Sequence, residues 1–272
     1  MTSFYTSLNG LKNAETDLGV IAHNIANAET TGFKKSSVEF ADIVANGSAA
    51  NPRLAQGVGA TVSSINQNFS LGSLEQTGRS LDIAIDGDGF FANRNPESGA
   101  IQYTRNGNFA LDSNGDIVDF GGNNLQVFQT DAAGNIIGAP ATIDANVPTT
   151  NGAGSELTSI TFEINGIVNA AYADGTTEPV GRLALATFVS PGGLREVGST
   201  KWEATGSSGA ANFGAPGISR NGQIRSGALE RSNVNIAEEM VGLITAQRNF
   251  QANAKAIDTA TQISQTIINL RT

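Results

Sequence analysis

Few side chains in this sequence combine the type and the spacing that catalysis needs. Its 272 residues include no cysteine and one histidine, His23. Thiol chemistry and disulfides are therefore excluded, and any Ser-His-Asp triad has to use that one imidazole. His23 lies in a helical pattern with no acidic or serine residue three or four positions away. We interpret it as a polar packing residue and predict that the chain is not an enzyme.

One stretch begins like a calcium-binding loop. Asp112, Asn114 and Asp116 supply the alternating oxygen ligands with which such a loop opens. The sixth and twelfth positions, however, are Ile117 and Asn123, where the loop needs a glycine for its sharp turn and a bidentate glutamate. The stretch is therefore interpreted as a turn, and we predict neither a metal ion nor a cofactor.

A second acidic group consists of Asp82, Asp86 and Asp88. Strand alternation in residues 81–86 places Asp82 and Asp86 on one face, which we expect to be exposed to solvent. Charges on such a face guard a strand edge against unwanted pairing. The run 87–89, Gly-Asp-Gly, is interpreted as a hairpin turn, because it is too short to cradle a phosphate group and follows no strand–helix pattern.

Composition narrows the remaining classes of protein. The net charge is −9 and the isoelectric point is about 4.6, so nucleic acid and anionic membranes are not expected as partners. No run approaches the length of apolar sequence that spans a membrane, and the first residues lack the basic and apolar regions of a classical signal peptide. The 32 glycines, with many Asn, Ser and Thr residues, indicate short strands and many turns.

The two ends of the chain are predicted to be helices. Residues 3–27 carry an apolar stripe at helical spacing, which consists of Phe4, Leu8, Leu11, Leu18, Ala22 and Ile25. The last forty-odd residues carry a longer, heptad-like stripe, which consists of Ile236, Met240, Leu243, Gln247, Phe250, Ala254, Ile257, Thr261, Ser264 and Ile268. Ser232 or Asn233 is expected to cap this second helix. Since its apolar face is too thin for stability alone, we predict that the two helices pack together; the alternative is that both pack on the strands.

The sequence between the helices is typical of β-structure. Short alternating runs are separated by frequent turn residues; Asn106-Gly107, for example, predicts a type I′ hairpin, and residues 46–59 are interpreted as an exposed loop. The predicted fold class is α+β, with a discontinuous terminal α-helical coiled-coil domain (residues 1–32 and 231–272) and an all-β, sandwich- or barrel-like body (residues 79–230). Residues 33–78 are predicted to form an extended linker and loop region.

Several motifs resemble those of one family, the bacterial flagellar rod and hook proteins. LGVIAHNIANAETTGFK at 18–34 is similar to that family's N-terminal motif, with His23 where the family usually has Asn, and GALERSNVN at 227–235 is similar to its closing motif. LDIAIDGDGFF and YTRNGNFALD resemble parts of its first β domain. AQRNFQANAK at 246–255 and INLR at 268–271 resemble the ending of hook proteins more than that of distal rod proteins. The short stretch 131–155, by contrast, is typical of the compact rod layout, because hook proteins commonly carry a further outer domain there.

The resemblance implies a structural subunit that polymerises. We expect a homopolymeric helical tube, first of all the flagellar hook, a universal joint that transmits torque from rod to filament; the alternative is a distal or proximal rod subunit of the basal body. The implied partners are further copies of the chain, the rod, hook-cap and hook–filament junction proteins and the flagellar type III export apparatus. The implied location is the hook or basal body, outside the cell after export.

The assembly interface is expected on the helical stripes and on the motif residues beside them. It is predicted to consist of Phe4, Leu8, Leu11, Leu18, Asn24, Ile25, Asn27, Gly32, Phe33, Asn233, Ile236, Met240, Leu243, Phe250, Ile257 and Ile268.

Overall fold

Two helices occupy the ends of the chain, as their apolar spacing predicts. The structure is a computed structural model that describes residues 2–44, 57–137 and 141–269. Helix α1 spans Thr2–Ala26 and helix α2 spans Ile236–Asn269. The cap of α2 is Asn235, whose side-chain oxygen accepts from the amide of Ala237 at 3.1 Å. The prediction of a cap at 232 or 233 was therefore wrong by two or three residues.

The helices belong to a helical unit made of residues 1–28, 35–68 and 234–272. Besides α1 and α2 it contains an antiparallel hairpin of β1 (Ser36–Val44) and β2 (Gly57–Gln67). This hairpin lies in the segment that the sequence analysis assigned to a linker region. It packs on α1, where Asn13 Nδ2 donates to the carbonyl of Ala60 at 2.8 Å. Most of the predicted loop at 46–59 lies outside the described residues.

The second unit, the strand unit, contains residues 29–34 and 69–233. Its described residues form seventeen short strands, most of which pair with antiparallel neighbours. They are β3 (Leu74–Gln76), β4 (Ile83–Asp86), β5 (Phe90–Arg94), β6 (Ile101–Thr104), β7 (Phe109–Leu111), β8 (Ile117–Asp119), β9 (Asn124–Phe128), β10 (Thr142–Asp144), β11 (Leu157–Phe162), β12 (Ile167–Tyr172), β13 (Thr177–Leu183), β14 (Leu185–Thr187), β15 (Arg195–Gly198), β16 (Lys201–Glu203), β17 (Asn212–Gly214), β18 (Gln223–Ser226) and β19 (Ala228–Glu230).

The main sheet of the strand unit runs in the order β11-β12-β13-β9-β5-β6-β16-β15. Two shorter pairs, β18 with β4 and β19 with β3, bring the end of the unit back to its beginning. The core is apolar and includes Phe91, Phe109 and Leu125, none of which is exposed. A smaller aromatic cluster surrounds Trp202, which lies 5.8 Å from Phe90 between ring centroids. The predicted α+β class, with terminal helices and a mostly β body, is confirmed.

Two details of the strand unit differ from the sequence prediction. Asp82 was expected on an exposed face, but it is 1% exposed and accepts from the hydroxyl of Thr77 at 2.7 Å. All three apolar residues of β4 are buried as well, because this strand is covered on both faces. Asn106-Gly107 does not close a hairpin, since β6 pairs with β5 and β16 while β7 pairs with β8. A Cβ at Gly107 would lie 1.6 Å from the carbonyl oxygen of Ile83, so glycine is required there by close approach.

Within the described residues, neither helix is long and apolar enough to cross a membrane.

Candidate assembly surfaces

The contact between α1 and α2 is built from small side chains. A Cβ on Gly10 would lie 2.6 Å from the side chain of Asn253, and a Cβ on Gly242 would lie 3.4 Å from Ile21. As the position on α1 rises, the partner position on α2 falls, so the helices are antiparallel. Ala246, at 1% exposure, lies between these contacts on α2. Small residues allow the helix backbones to approach closely, so that side chains of the facing helix, such as the buried Ile21, pack directly against them.

Polar groups are buried at one end of this pair, within the helical unit. Asn24 is 1% exposed; its amide nitrogen donates to Ser36 at 2.8 Å and to Glu239 at 3.1 Å, and its oxygen accepts from the Ser36 amide at 3.0 Å. The second oxygen of Glu239 lies 2.5 Å from the ammonium group of Lys35. Burial, and then the charge of Glu239, raise the pKa of the nearby Asp17 carboxyl. Asn24 thus joins α1, β1 and α2 through one fully bonded amide.

Several large apolar residues of α2 remain in solvent. Met240 is 44% exposed, Val241 66%, Ile244 49% and Ile263 56%. At about 100° per residue, the predicted stripe through Met240 and Leu243 lies roughly a quarter-turn around the helix from the buried face of Gly242 and Ala246. The chain therefore buries its small residues internally and leaves an apolar surface on α2 available to another molecule.

The structure places the predicted interface residues in three environments. Asn24, Gly32 and Phe33 are buried; Phe4, Leu8, Leu11, Leu18, Ile25, Asn27, Asn233, Leu243 and Ile257 are half-buried; Ile236, Met240 and Phe250 are exposed. The side chain of Ile268 lies outside the described part of the chain. Their role between copies stays a prediction. Within the chain, the α1–α2 contact rests on residues about one position away from the predicted stripes.

A buried ionic cluster, formed by Lys34, Arg105 and Glu230, lies inside the strand unit. One carboxylate oxygen of Glu230 lies 2.5 Å from the Lys34 ammonium, and the other lies 3.3 Å from the Arg105 guanidinium. Their exposures are 1%, 3% and 0%, respectively. Burial lowers the pKa of Lys34 and of Arg105, and the nearby Glu230 carboxylate opposes that effect in both.

Backbone groups complete the bonding of this cluster. The amide of Gly72 donates to Glu230 Oε1 at 2.9 Å, and the amide of Gly32 donates to the Glu230 carbonyl at 2.8 Å. Lys34 also donates to the carbonyl of Ser70 at 2.7 Å. Gly32 has a φ of +70°, and a Cβ there would lie 2.6 Å from the amide nitrogen of Asn106, so both its conformation and its space demand glycine. Four distant stretches of chain therefore meet at one glutamate.

Sequence reasoning missed Lys34, Arg105 and Glu230 as a group. A signal was present, because Lys34 ends the N-terminal motif and Glu230 lies inside the closing motif quoted above. A charged residue within an otherwise apolar or glycine-containing motif is a candidate for a buried pair. Arg105 has no such signal, because only the fold brings it to the other two.

The residues considered for catalysis or metal binding do not converge. Asp112 and Asp116 lie at either side of the turn between β7 and β8, where Asn146 donates to Asp116 at 2.8 Å. His23 is exposed on α1, with the amide nitrogen of Asn27 3.4 Å from its Nδ1. In the described ranges, no three His, Cys, Asp or Glu side chains group in a way that could hold a metal ion.

Three family models match along the chain. Residues 4–34 match a model described as flagella basal body rod protein. Residues 84–170 match the flagellar hook protein FlgE/F/G D1 domain, and residues 225–270 match the flagellar basal body rod FlgEFG protein C-terminal. The ionic cluster draws Lys34 from the first matched segment, Arg105 from the second and Glu230 from the third.

The curated relatives extend this match over the full length. The chain is 36% identical to the flagellar basal-body rod protein FlgG of Bacillus subtilis strain 168 over 282 residues, which cover 100% of this chain and 99% of the relative. This chain belongs to the flagellar rod and hook family. It is 32% identical to FlgG of Borreliella burgdorferi over 284 residues, which cover 100% of this chain and 99% of the relative. The hook protein FlgE of Escherichia coli K12 is 27% identical over an alignment of 409 positions.

Membership of this family explains the arrangement of the molecule. Its members are structural components of the flagellum. This agrees with the close contact between α1 and α2, with the exposed apolar residues of α2 and with acidic side chains that do not converge on one site. Residues of the two terminal motifs make buried bonds within each unit. Glu230 of the closing motif accepts from Lys34 in the strand unit, and Asn24 of the N-terminal motif donates to Glu239 in the helical unit.

Proposed function

We propose that this chain is a structural subunit of the flagellar basal-body rod, which polymerises into a tube. The observation that carries the proposal is colinearity with rod proteins. The FlgG relatives of Bacillus subtilis and Borreliella burgdorferi align over 282 and 284 positions and are covered to 99%. The alignment with the Escherichia coli hook protein extends to 409 positions, far beyond the 272 residues of this chain.

The second candidate is the hook subunit, which the sequence analysis placed first. The resemblance of residues 246–255 and 268–271 to hook-protein endings favours it. The compact strand unit weighs against it, because the stretch between β9 and β11 contains only the short strand β10 among its described residues. Since hook proteins commonly carry a further domain in this part of the chain, we favour the rod.

Subunit contacts in the proposed tube involve the terminal helices. The exposed apolar residues of α2, among them Met240, Ile244 and Phe250, supply the area that a neighbouring copy buries. A contact that is head-to-tail and does not close produces a helical filament. The predicted assembly domain at 1–32 and 231–272 is retained here as part of the proposal.

The partners and location follow from the same proposal. The chain acts without a cofactor or an enzymatic step, and it joins other rod, hook or junction subunits at the basal body. It reaches that position through the flagellar type III export apparatus.

Electron microscopy of the purified, polymerised chain tests the proposal. We expect straight tubes, because a rod transmits torque along one axis. Curved or supercoiled tubes support the hook instead. A chain that forms no polymer over a wide range of concentration and salt contradicts both candidates.

A further inference from the structure

One aromatic side chain of the strand unit projects entirely into solvent. Phe120 is 101% exposed, more than any other large apolar residue that the structure describes. It lies in the turn between β8 and β9, followed by Gly121 and Gly122. A phenyl ring in water forgoes the favourable transfer that its burial brings, so a second molecule that covered the ring would gain that transfer free energy.

The turn that carries Phe120 is held rigidly. The Asp119 carboxylate accepts from the amide of Gly121 at 2.7 Å, from the amide of Asn123 at 3.1 Å and from the side chain of Asn93 at 2.8 Å. Lys201 lies 2.9 Å from the same carboxylate. Burial would raise the pKa of Asp119, but these hydrogen bonds outweigh burial and hold the pKa below its usual range. An exposed ring on a fixed turn is pre-organised, and pre-organised aromatic residues are the typical anchors of protein interfaces.

A neighbouring turn adds to this rigidity. Ser199 and Thr200, between β15 and β16, have φ values of 55° and 54°, which non-glycine residues rarely adopt. The hydroxyl of Thr104 donates to the carbonyl of Thr200 at 2.8 Å and holds this conformation. Ser199, Thr200 and Phe120 line the same shallow cavity. Ser199 and Thr200 are the two central residues of the hairpin that joins β15 to β16, a tight turn that requires positive φ at both positions.

A cavity with room for a phenyl ring lies on the same unit. An open cavity of about 630 Å³ lies between the β11–β12 turn and residues 216–218, and its apolar lining includes Phe162, Ile164 and Ile218. Ile164 is 66% exposed and Ile218 is 50% exposed. The anchor turn precedes β9, and its carboxylate bonds to β5 and β16, whereas the cavity lies at the β11–β12 end of the sheet order. The two features therefore belong to different parts of the unit, as a head-to-tail contact requires.

Local charge does not oppose the meeting of these two surfaces. Two copies of a chain with a net charge of −9 repel each other. The cavity beside the anchor carries one acid, Asp119, and one base, Lys201. The cavity of about 630 Å³ carries one acid, Glu163, and one base, Arg182. Each lining therefore carries no net charge of its own, so a contact between the two does not place like-charged patches opposite each other.

We infer that Phe120 of one copy inserts into the cavity of Phe162, Ile164 and Ile218 on the strand unit of the next copy. The inference rests on the proposed polymer and adds to it a contact between strand units, separate from the terminal helices. Because the contact joins different surfaces of identical chains, each copy offers a free anchor and a free cavity to the next. Such a contact repeats without limit along a filament.

Photo-crosslinking identifies the partner surface. A benzophenone amino acid at position 120 keeps an aromatic side chain there, and a mixture of isotope-labelled and unlabelled full-length chains separates contacts between copies from those within one. In the polymer, we expect links from position 120 to residues 162–164 or 216–218 of another copy. Links to the α2 surface, or to the second cavity of the strand unit, which is lined by Phe69, Phe90, Phe188 and Val189, overturn the inference.

A substitution series gives the second measurement. Phe120→Ala removes the anchor and is expected to raise the critical concentration for polymerisation roughly tenfold or more. Its melting temperature stays that of the parent, because the ring packs on nothing inside the unit. Val189→Ala is the matched control, since Val189 is 92% exposed outside both surfaces. If the parent polymerises and Phe120→Ala does so at the same concentration, only this contact is wrong; if the parent forms no polymer, the proposed rod function fails with it.

Discussion

Glu230 joins the end of the strand unit to its beginning through its bonds to Lys34 and Gly72. It is fully buried, and its carboxylate is compensated by Lys34, Arg105 and the backbone amide of Gly72. A buried charge that loses its partner is far more costly than an exposed one, because water cannot replace the missing interaction. Substitutions in this cluster therefore test whether its energetics are those of a buried pair.

Lys34→Met is expected to lower the free energy of unfolding by about 3 kcal/mol, because it leaves Glu230 with Arg105 alone. Adding Glu230→Gln removes the charge that Lys34 neutralised, so the double variant is expected to lose less than the sum of the two single losses. Urea unfolding of the three variants measures this. The control is Arg195→Met, which breaks the exposed Arg195–Glu203 pair, with Arg195 68% exposed, and is expected to cost under about 1 kcal/mol. Equal losses for Lys34→Met and Arg195→Met contradict the prediction.

The Asp119 carboxylate gives a prediction about pH. Its pKa is lower in the folded chain than in the unfolded chain, so its stabilisation is present above the unfolded pKa of about 3.9 and is lost as the pH falls through the folded pKa. Asp119→Asn is expected to cost about 2 kcal/mol at pH 7 and progressively less below pH of about 4. Unfolding of parent and variant across this range measures the difference. A pH-independent difference contradicts the assigned role of the charge.

At the scale of elements, the contact between α1 and α2 depends on the absence of large side chains. Ala246 is 1% exposed where the helices approach, whereas Ala256, further along the same helix, is exposed. The helix propensities of Ala and Leu are close. A replacement of Ala by Leu at each of the two positions therefore shows the effect of packing rather than that of propensity.

Ala246→Leu is expected to destabilise the helical unit by about 1–3 kcal/mol, because the added atoms overfill a close contact. The expected readout is faster amide exchange along α1 and α2. Ala256→Leu is the matched control and is expected to change the exchange rates little. If both variants behave alike, the helices do not depend on a small-residue seam.

The contact between α1 and α2 illustrates which parts of this fold local sequence patterns predict and which they do not. Apolar spacing identified both helices and their approximate ends, and turn residues identified a β-rich body, because those signals are local. The face on which the helices meet was not identified, since larger residues such as Met240 and Leu243 gave the stronger periodic signal while Gly242 and Ala246 gave almost none. Burial of Asp82 and the meeting of Lys34, Arg105 and Glu230 depend on pairings across the chain, which no local window contains.

At the scale of the whole molecule, the far end of α2 lacks internal support. Every residue from 261 to 266 is exposed, and a helix without tertiary packing is marginal in water. In the proposed polymer, neighbouring copies cover this part.

Amide exchange compares the two states directly. Backbone amides of residues 258–269 are expected to exchange rapidly in the monomer and at least about 100-fold more slowly in the polymer, because opening then requires the loss of contacts with neighbours. Amides of β5 and β9 serve as the internal control and are expected to be slow in both states. Equal exchange of residues 258–269 in monomer and polymer contradicts a role for this end of α2 in assembly.

The bond between Lys34 and Glu230 joins residues 196 positions apart, and this separation has a kinetic consequence. Closing so long a loop is entropically unfavourable until the distant contacts form, and chains dominated by such contacts fold slowly. During synthesis, Lys34 leaves the ribosome early, but its carboxylate partner arrives only after about five-sixths of the chain has been made. For most of its synthesis the nascent strand unit therefore lacks its final pairing, which leaves a window in which the chain is still open enough to be threaded or bound.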